Sequence, residues 1–183
     1  MTRDTPAATL IRREDLAISP WRNGAGRKAD IASGPGWLVG YAFLDGDAAF
    51  SDYAGYDRTI TLVEGPGFSL EGADGVSLAV DVVNRPTRFD GGWRTGCRVH
   101  GGACVVLNAM SERARYRHRV TIQSAAALSL ADMAGMTVLV VLTGALSIGG
   151  QSAGARDAWR IDTAVAVEAA ADTMLAVIRI MPA

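Results

Sequence analysis

Beyond residue 37 the chain is a succession of short apolar or β-branched runs. They fall at residues 38–44, 58–63, 68–70, 77–82, 104–107, 137–142 and 174–181. Turn-forming clusters separate them: Asp45-Gly46, Gly65-Pro66-Gly67, Ala73-Asp74-Gly75 and Asp90-Gly91-Gly92. Short runs at close spacing, each closed by Gly, Pro, Asp or Asn, predict an all-β sandwich or barrel. Only residues 124–133, with their alanines and leucines, suggest a short helix.

Residues 124–150 carry Asp132 as their sole charge, and their length would allow a membrane span. Gly135, Gly144, Gly149 and Gly150 divide the stretch, and its densest part, 137–142, is β-branched and strand-length. A buried strand, a turn and a second strand are therefore expected. An internal echo supports that division. Residues 62–72 read LVEGPGFSLEG and 141–150 read VLTGALSIGG. With one residue gapped, Gly65 aligns with Gly144, Ser69 with Ser147 and Gly72 with Gly150. Two related β-units packed as one body would produce such an echo, and so would a chance similarity between two hairpins. Residues 81–93, with Pro86 and a glycine pair, are the expected crossover. The lobes would then be about 1–85 and 86–183.

Composition narrows the classes. The 183 residues are 49% hydrophobic and 20% charged with a net charge of −1, as expected of a folded globular protein. The near-zero charge gives no overall attraction to nucleic acid or an acidic membrane. Two cysteines make no disulfide framework. The first fifteen residues mix charges and lack an apolar core segment, so a cytoplasmic location is expected.

The segment Trp21-Arg22-Asn23-Gly24-Ala25-Gly26, followed by Asp30-Ile31-Ala32, resembles the W-[K/R]-N-G-G-G…E-I-A opening of the HutD/Ves family. Phe50-Ser51, Gly55-Tyr56-Asp57-Arg58-Thr59, the strand and glycine of Leu62–Gly65, Phe89-Asp90-Gly91 and Leu107-Asn108-Ala109-Met110 continue the similarity in order. The resemblance implies a cupin-type (RmlC-like jelly-roll) β-sandwich or barrel with two related lobes, a bicupin linked to bacterial histidine utilisation. The chain departs from the family pattern at five points. Leu38 stands where an arginine is usual, Gly40 replaces a serine, Val106 replaces an acidic residue, and Ser111-Glu112-Arg113 replaces T-R-R. Ala25 also takes the place of the middle glycine.

Arg58 opens an apolar run beside Asp57. Its planar fork suits a ligand carboxylate, and equally suits an ion pair that pins the turn. Asn23 lies in a glycine-flanked turn, where its amide either locks the backbone or meets a ligand. Asn108 follows an apolar run and is either a core partner or a pocket group. Trp21 and Met110 could wall the apolar side of a pocket. No H-x-H occurs, so the usual cupin metal site is not expected and neither is a cofactor. Cys97, His100, Cys104 and His118 would offer zinc ligands, but their spacing fits no zinc signature, and small core residues account better for the cysteines. Arg113, Arg115, Arg117 and Arg119 alternate, which on a strand would make a basic stripe, for a partner or for solvent.

The expected function is non-catalytic binding of a small anionic metabolite, of the urocanate or formylglutamate class, that modulates histidine utilisation. The alternative is a metal-independent cupin-type isomerase or hydrolase, with a titratable residue such as Asp57 or His118 in the cavity of Arg58. Neither nucleic acid nor membrane is an expected partner, and exposed β edges would allow a homodimer.

Overall fold

The computed structural model describes residues 7–133 and 135–183. The strands in chain order are β1 (Ala8–Ile11), β2 (Ile18–Pro20), β3 (Arg27–Gly34), β4 (Trp37–Leu44), β5 (Ala48–Ala49), β6 (Tyr56–Glu64), β7 (Phe68–Gly72), β8 (Ser77–Val80) and β9 (Pro86–Asp90). They continue as β10 (Thr95–Val99), β11 (Cys104–Glu112), β12 (Tyr116–Ser124), β13 (Met136–Thr143), β14 (Leu146–Ile148), β15 (Gln151–Ala153), β16 (Ala158–Ile161), β17 (Glu168–Ala169) and β18 (Met174–Pro182). The helical residues described are 3-10 turns at Arg13–Asp15, Ala125–Ala127 and Leu130–Met133. The expected short helix at 124–133 is thus two such turns, the first capped where Ser124 Oγ accepts the Ala126 N–H.

The chain folds as two compact units. The larger holds residues 17–118 and 182–183, the smaller residues up to 16 and 119–181. The chain changes unit at 16/17 and 118/119, while Arg85 and Pro86 belong to the same unit. The larger unit holds a six-stranded sheet, β2-β3-β4-β11-β6-β9, and a four-stranded sheet, β5-β10-β7-β8. The interval 81–93, expected as a crossover, contains β9, which closes one edge of the six-stranded sheet against β6. Leu44, Ile60, Leu62, Phe68, Leu70 and Val106 form its core.

In the smaller unit, β1-β16-β13-β18-β12 make a five-stranded sheet and β15-β14-β17 a three-stranded one. Leu139, Val141, Leu146, Trp159, Ile161 and Leu175 form its core. All four residues from Val138 to Val141 are buried, so β13 is covered on both faces. A strand covered on both faces needs no polar alternation, which is why its sequence could be mistaken for a span. No helix among the described residues is long and apolar enough to cross a membrane.

One local arrangement occurs in each unit. Where β6 pairs with β11, Val63 is an extra residue between the Leu62↔Val106 and Glu64↔Val105 pairs. Where β13 pairs with β18, Leu142 is the extra residue between Val141↔Leu175 and Thr143↔Met174. Each bulge is followed by a left-handed glycine, Gly65 at φ 104° and Gly144 at φ 78°. A short strand then opens with a fully buried side chain, Phe68 or Leu146. These pairs coincide with the aligned positions of the sequence echo.

Candidate functional site

Strand alternation places the site. On β6, Arg58, Ile60 and Leu62 share one face, and on β11 so do Val106, Asn108 and Met110. The register sets Met110 between Arg58 and Leu38, Asn108 between Ile60 and Gly40, and Val106 between Leu62 and Ala42. On β3, Asp30 and Lys28 extend the last two rows, facing Gly40 and Ala42. This face borders a cavity of about 180 Å³ within the larger unit. Its other walls come from Trp21, Trp37, Tyr41 and the segment Phe50, Ser51, Tyr53 and Tyr56. A shallower open hollow adjoins it, sharing Ser51, Tyr53 and Tyr56 and adding Arg22, Asn23 and Asp52.

Arg58 is 7% exposed. Its guanidinium carbon lies 5.0 Å from the Phe89 ring centre, 5.1 Å from Phe50 and 5.6 Å from Tyr53. One long hydrogen bond, 3.4 Å, runs from Nη2 to Asn108 Oδ1, and Nε has no partner. No described carboxylate pairs with it. Burial pushes its pKa down to about 10, with Tyr53 acting weakly the other way, so it stays a cation at neutral pH. The Ser51 hydroxyl, on the same cavity wall, is also buried without a partner. Removing a charge and a hydroxyl from water without partners is costly unless something else supplies the bonds.

Asp57 does not serve Arg58. Burial raises its pKa, but hydrogen bonds from Arg113 and Arg88 outweigh burial and hold its carboxyl below the usual range. Arg113 also pairs with Asp90, so this network ties together the start of β6, the turn between β11 and β12, and β9. The turn-pinning ion pair weighed for Arg58 does not form; Asp57 pairs with Arg88 and Arg113 instead.

Of the five residues singled out in the sequence, Trp21, Arg58, Asn108 and Met110 line the cavity. Asn23 does not. Its Nδ2 donates to Ala49 O at 2.9 Å while its Oδ1 accepts the Ala25 N–H at 3.1 Å, locking the hairpin between β2 and β3. The Trp21 indole donates to Arg27 O and meets Phe50 edge-on at 5.4 Å. Gly26 is compulsory there, since an added Cβ would sit 2.7 Å from the indole. Three of the positions that depart from the family pattern, Leu38, Gly40 and Val106, line the cavity, while Ala25 and Ser111-Glu112-Arg113 do not. Gly40 has a backbone reason here: a Cβ would approach Ala29 O to 2.7 Å.

Lys28, Asp30, Ser51 and the tyrosines were not singled out from the sequence. The available signal was alternation on residues 27–34, which puts Lys28 and Asp30 on one face.

The cysteines and histidines are dispersed among other partners. Cys97 and Cys104 donate to the carbonyls of Gly46 and Gly67. His100 meets Ser69, and buried His118 lies between Ser111 Oγ at 2.7 Å and Thr59 Oγ1 at 2.8 Å. Among the described residues no three His, Cys, Asp or Glu side chains gather as a metal ion would need. The basic stripe divides, because Arg113 and Arg115 lie in the turn before β12 and only Arg117 and Arg119 in the strand.

These sheets define the class of protein: an all-β, cupin-type fold. A cupin 2 conserved barrel domain protein from Leptotrichia buccalis superimposes with a TM-score of 0.61 at 10% identity, over 97% of this chain and 99% of its own. HutD from Pseudomonas fluorescens SBW25 superimposes with a TM-score of 0.76 at 22% identity, over 97% of this chain and 100% of its own. The HutD family model matches residues 13–178, and the chain belongs to the HutD family. Among named relatives, an uncharacterised 21.2 kDa protein in the hutC 3′ region of Pseudomonas putida is 32% identical over 127 residues. That match covers 61% of this chain and 62% of the relative's length. Protein Ves of Citrobacter koseri is 28% identical over 141 residues, 73% of this chain and 72% of its own.

Proposed function

We propose that this protein binds a small carboxylate-bearing metabolite in the cavity at Arg58. The observation that carries this reading is a buried guanidinium with an unpartnered Nε, on the wall of a cavity and without a carboxylate of its own. An incoming carboxylate would accept two parallel hydrogen bonds from the fork and restore what burial removed. Asn108 would hold the fork's orientation, Ser51 would add a donor, and Trp21 and Met110 would cover the apolar body. The name of the Pseudomonas putida relative places it beside hutC, which favours a ligand from histidine utilisation, of the urocanate or formylglutamate class, and a role in modulating that pathway. The reading is one of binding, acting in the cytoplasm without nucleic acid or membrane as partner. The enzymatic alternative calls for a titratable residue, such as Asp57 or His118, in the cavity of Arg58. Those two do not line it, while Lys28 and Asp30 do, held as an ion pair with each other.

The test is calorimetric titration of urocanate and of formylglutamate into the protein and into Arg58→Ala. Wild type should bind one of them with micromolar affinity, and the variant should bind it about a hundredfold more weakly while keeping its circular-dichroism spectrum. Unchanged affinity in the folded variant removes Arg58 from the role.

We also infer that the two units are related copies, a bicupin whose lobes follow the unit boundary at 118/119. The matching bulge, left-handed glycine and buried strand opening in each unit support this.

A further inference from the structure

The cavity wall holds three charged side chains: Arg58, Lys28 and Asp30. Lys28 and Asp30 cancel. The ammonium lies 2.8 Å and 2.6 Å from the two carboxylate oxygens, on the same strand and face. The other polar side chains of the lining are uncharged: hydroxyls, the Asn108 amide and the indoles of Trp21, which donates to Arg27 O, and Trp37. The adjoining hollow again holds one side chain of each sign, Arg22 and Asp52. Among the charged side chains that line the cavity, Arg58 is therefore the one without an oppositely charged partner. Moreover, it is walled on three sides by aromatic rings rather than by further donors.

We infer that the site selects a monoanion: a ligand with one carboxylate for Arg58 and an uncharged remainder, and that Asp30 excludes dicarboxylates. Of the two ligands named above, urocanate fits the rule, and formylglutamate, with two carboxylates, would overturn it by binding as tightly. This rests on the reading of Arg58 as the carboxylate anchor and adds the charge rule. A second carboxylate would have to settle among apolar and aromatic walls, or approach Lys28 against Asp30. The first course leaves a charge without partners, and the second repels it from an acid already in place. An uncharged amide or azole meets neither cost. It can donate to the carboxylate and accept from the ammonium, whose pair presents both functions side by side. Specificity here comes from what Asp30 rejects as much as from what Arg58 attracts.

Fumaramate and fumarate form the probe pair, since they share one planar skeleton and differ in an amide against a second carboxylate. Titrations should show fumaramate binding about tenfold or more tightly than fumarate. Asp30→Asn, which unmasks Lys28, should narrow or invert that ratio. Lys28→Gln, which leaves Asp30 unpaired, should weaken both probes. Thermal unfolding of each variant checks that it is folded, which half-exposed positions favour. Equal affinity for the two probes, or a ratio unmoved in folded Asp30→Asn, overturns the charge rule while leaving Arg58 as anchor. If neither probe binds wild type at millimolar concentration but Arg58→Ala abolishes urocanate binding, the charge rule alone fails. If urocanate, formylglutamate and both probes all fail to bind, the anchor reading fails first and takes the charge rule with it.

Discussion

Burial acts on two bases of the larger unit, Arg58 and His118, and they answer it differently. Arg58 starts from so high a pKa that a fall to about 10 leaves it charged. His118 is pushed by burial, helped by Arg88, down to about 4, with Asp57 opposing, and stays neutral between Ser111 and Thr59. The neutral ring can donate through one nitrogen and accept through the other, so both hydroxyl contacts are satisfied without charge. A consequence for stability follows. Between about pH 6.5 and 4 the unfolded chain takes up a proton on His118 that the folded chain refuses. Stability is therefore full above pH 6.5 and falls with pH through that window, by up to about 1.4 kcal/mol per pH unit. Urea unfolding between pH 7 and 4.5 should show the slope, and His118→Gln should flatten it. A wild-type protein equally stable at both ends would contradict the placement of the ring. The lowered aspartates act later: Asp57 and Asp90, held by arginines and, for Asp90, first by the Gly92 N–H, lose their contribution as pH falls below about 4. Little of this was legible in the sequence, where His118 stood out only as a metal or catalytic candidate. Its neutrality depends on Ser111 and Thr59, brought beside it by pairing.

The elements explain which glycines and amides matter. Gly24 has a left-handed φ of 72° with open space around it, whereas Gly65 and Gly144 combine such a φ with backbone or side-chain atoms 2.3 and 2.4 Å from where a Cβ would stand. Gly24→Ala should therefore cost about 1 kcal/mol, the strain alone, and Gly65→Ala and Gly144→Ala about 2–4 kcal/mol each, strain plus displacement. Shifts in urea midpoint rank the three, and a Gly65 variant as mild as the Gly24 variant would remove the close approach. The turn signals at 21–26 and 65–67 were plain in the sequence, because left-handed backbone and tight corners demand particular residue types locally. Whether the amide in such a turn faces inward or back onto the backbone was not, and Asn23 turned out to bind Ala49 and Ala25 rather than the cavity.

In the molecule as a whole, two cores each rest on a side chain fully buried just past a bulge. Phe68→Ala should destabilise by about 3–5 kcal/mol and Leu146→Ala by about 2–5 kcal/mol, measured by urea unfolding. A loss below 1 kcal/mol at either position would mean that its core is not closed there. The all-β class, eight of the strands and the position of the echo follow from the sequence alone, because period-2 alternation and turn chemistry act over a few residues. Strands β3, β9 and β12 escaped that reading, since Arg, Lys, Asp and Pro interrupt their apolar pattern. The cavity belongs wholly to tertiary structure. Arg58, Asn108, Met110, Leu38 and Asp30 are spread over eighty residues, and only the register of β3, β4, β11 and β6 sets them in adjoining rows. Register is a long-range choice. It depends on which faces are buried together, and no short stretch of the chain contains that information.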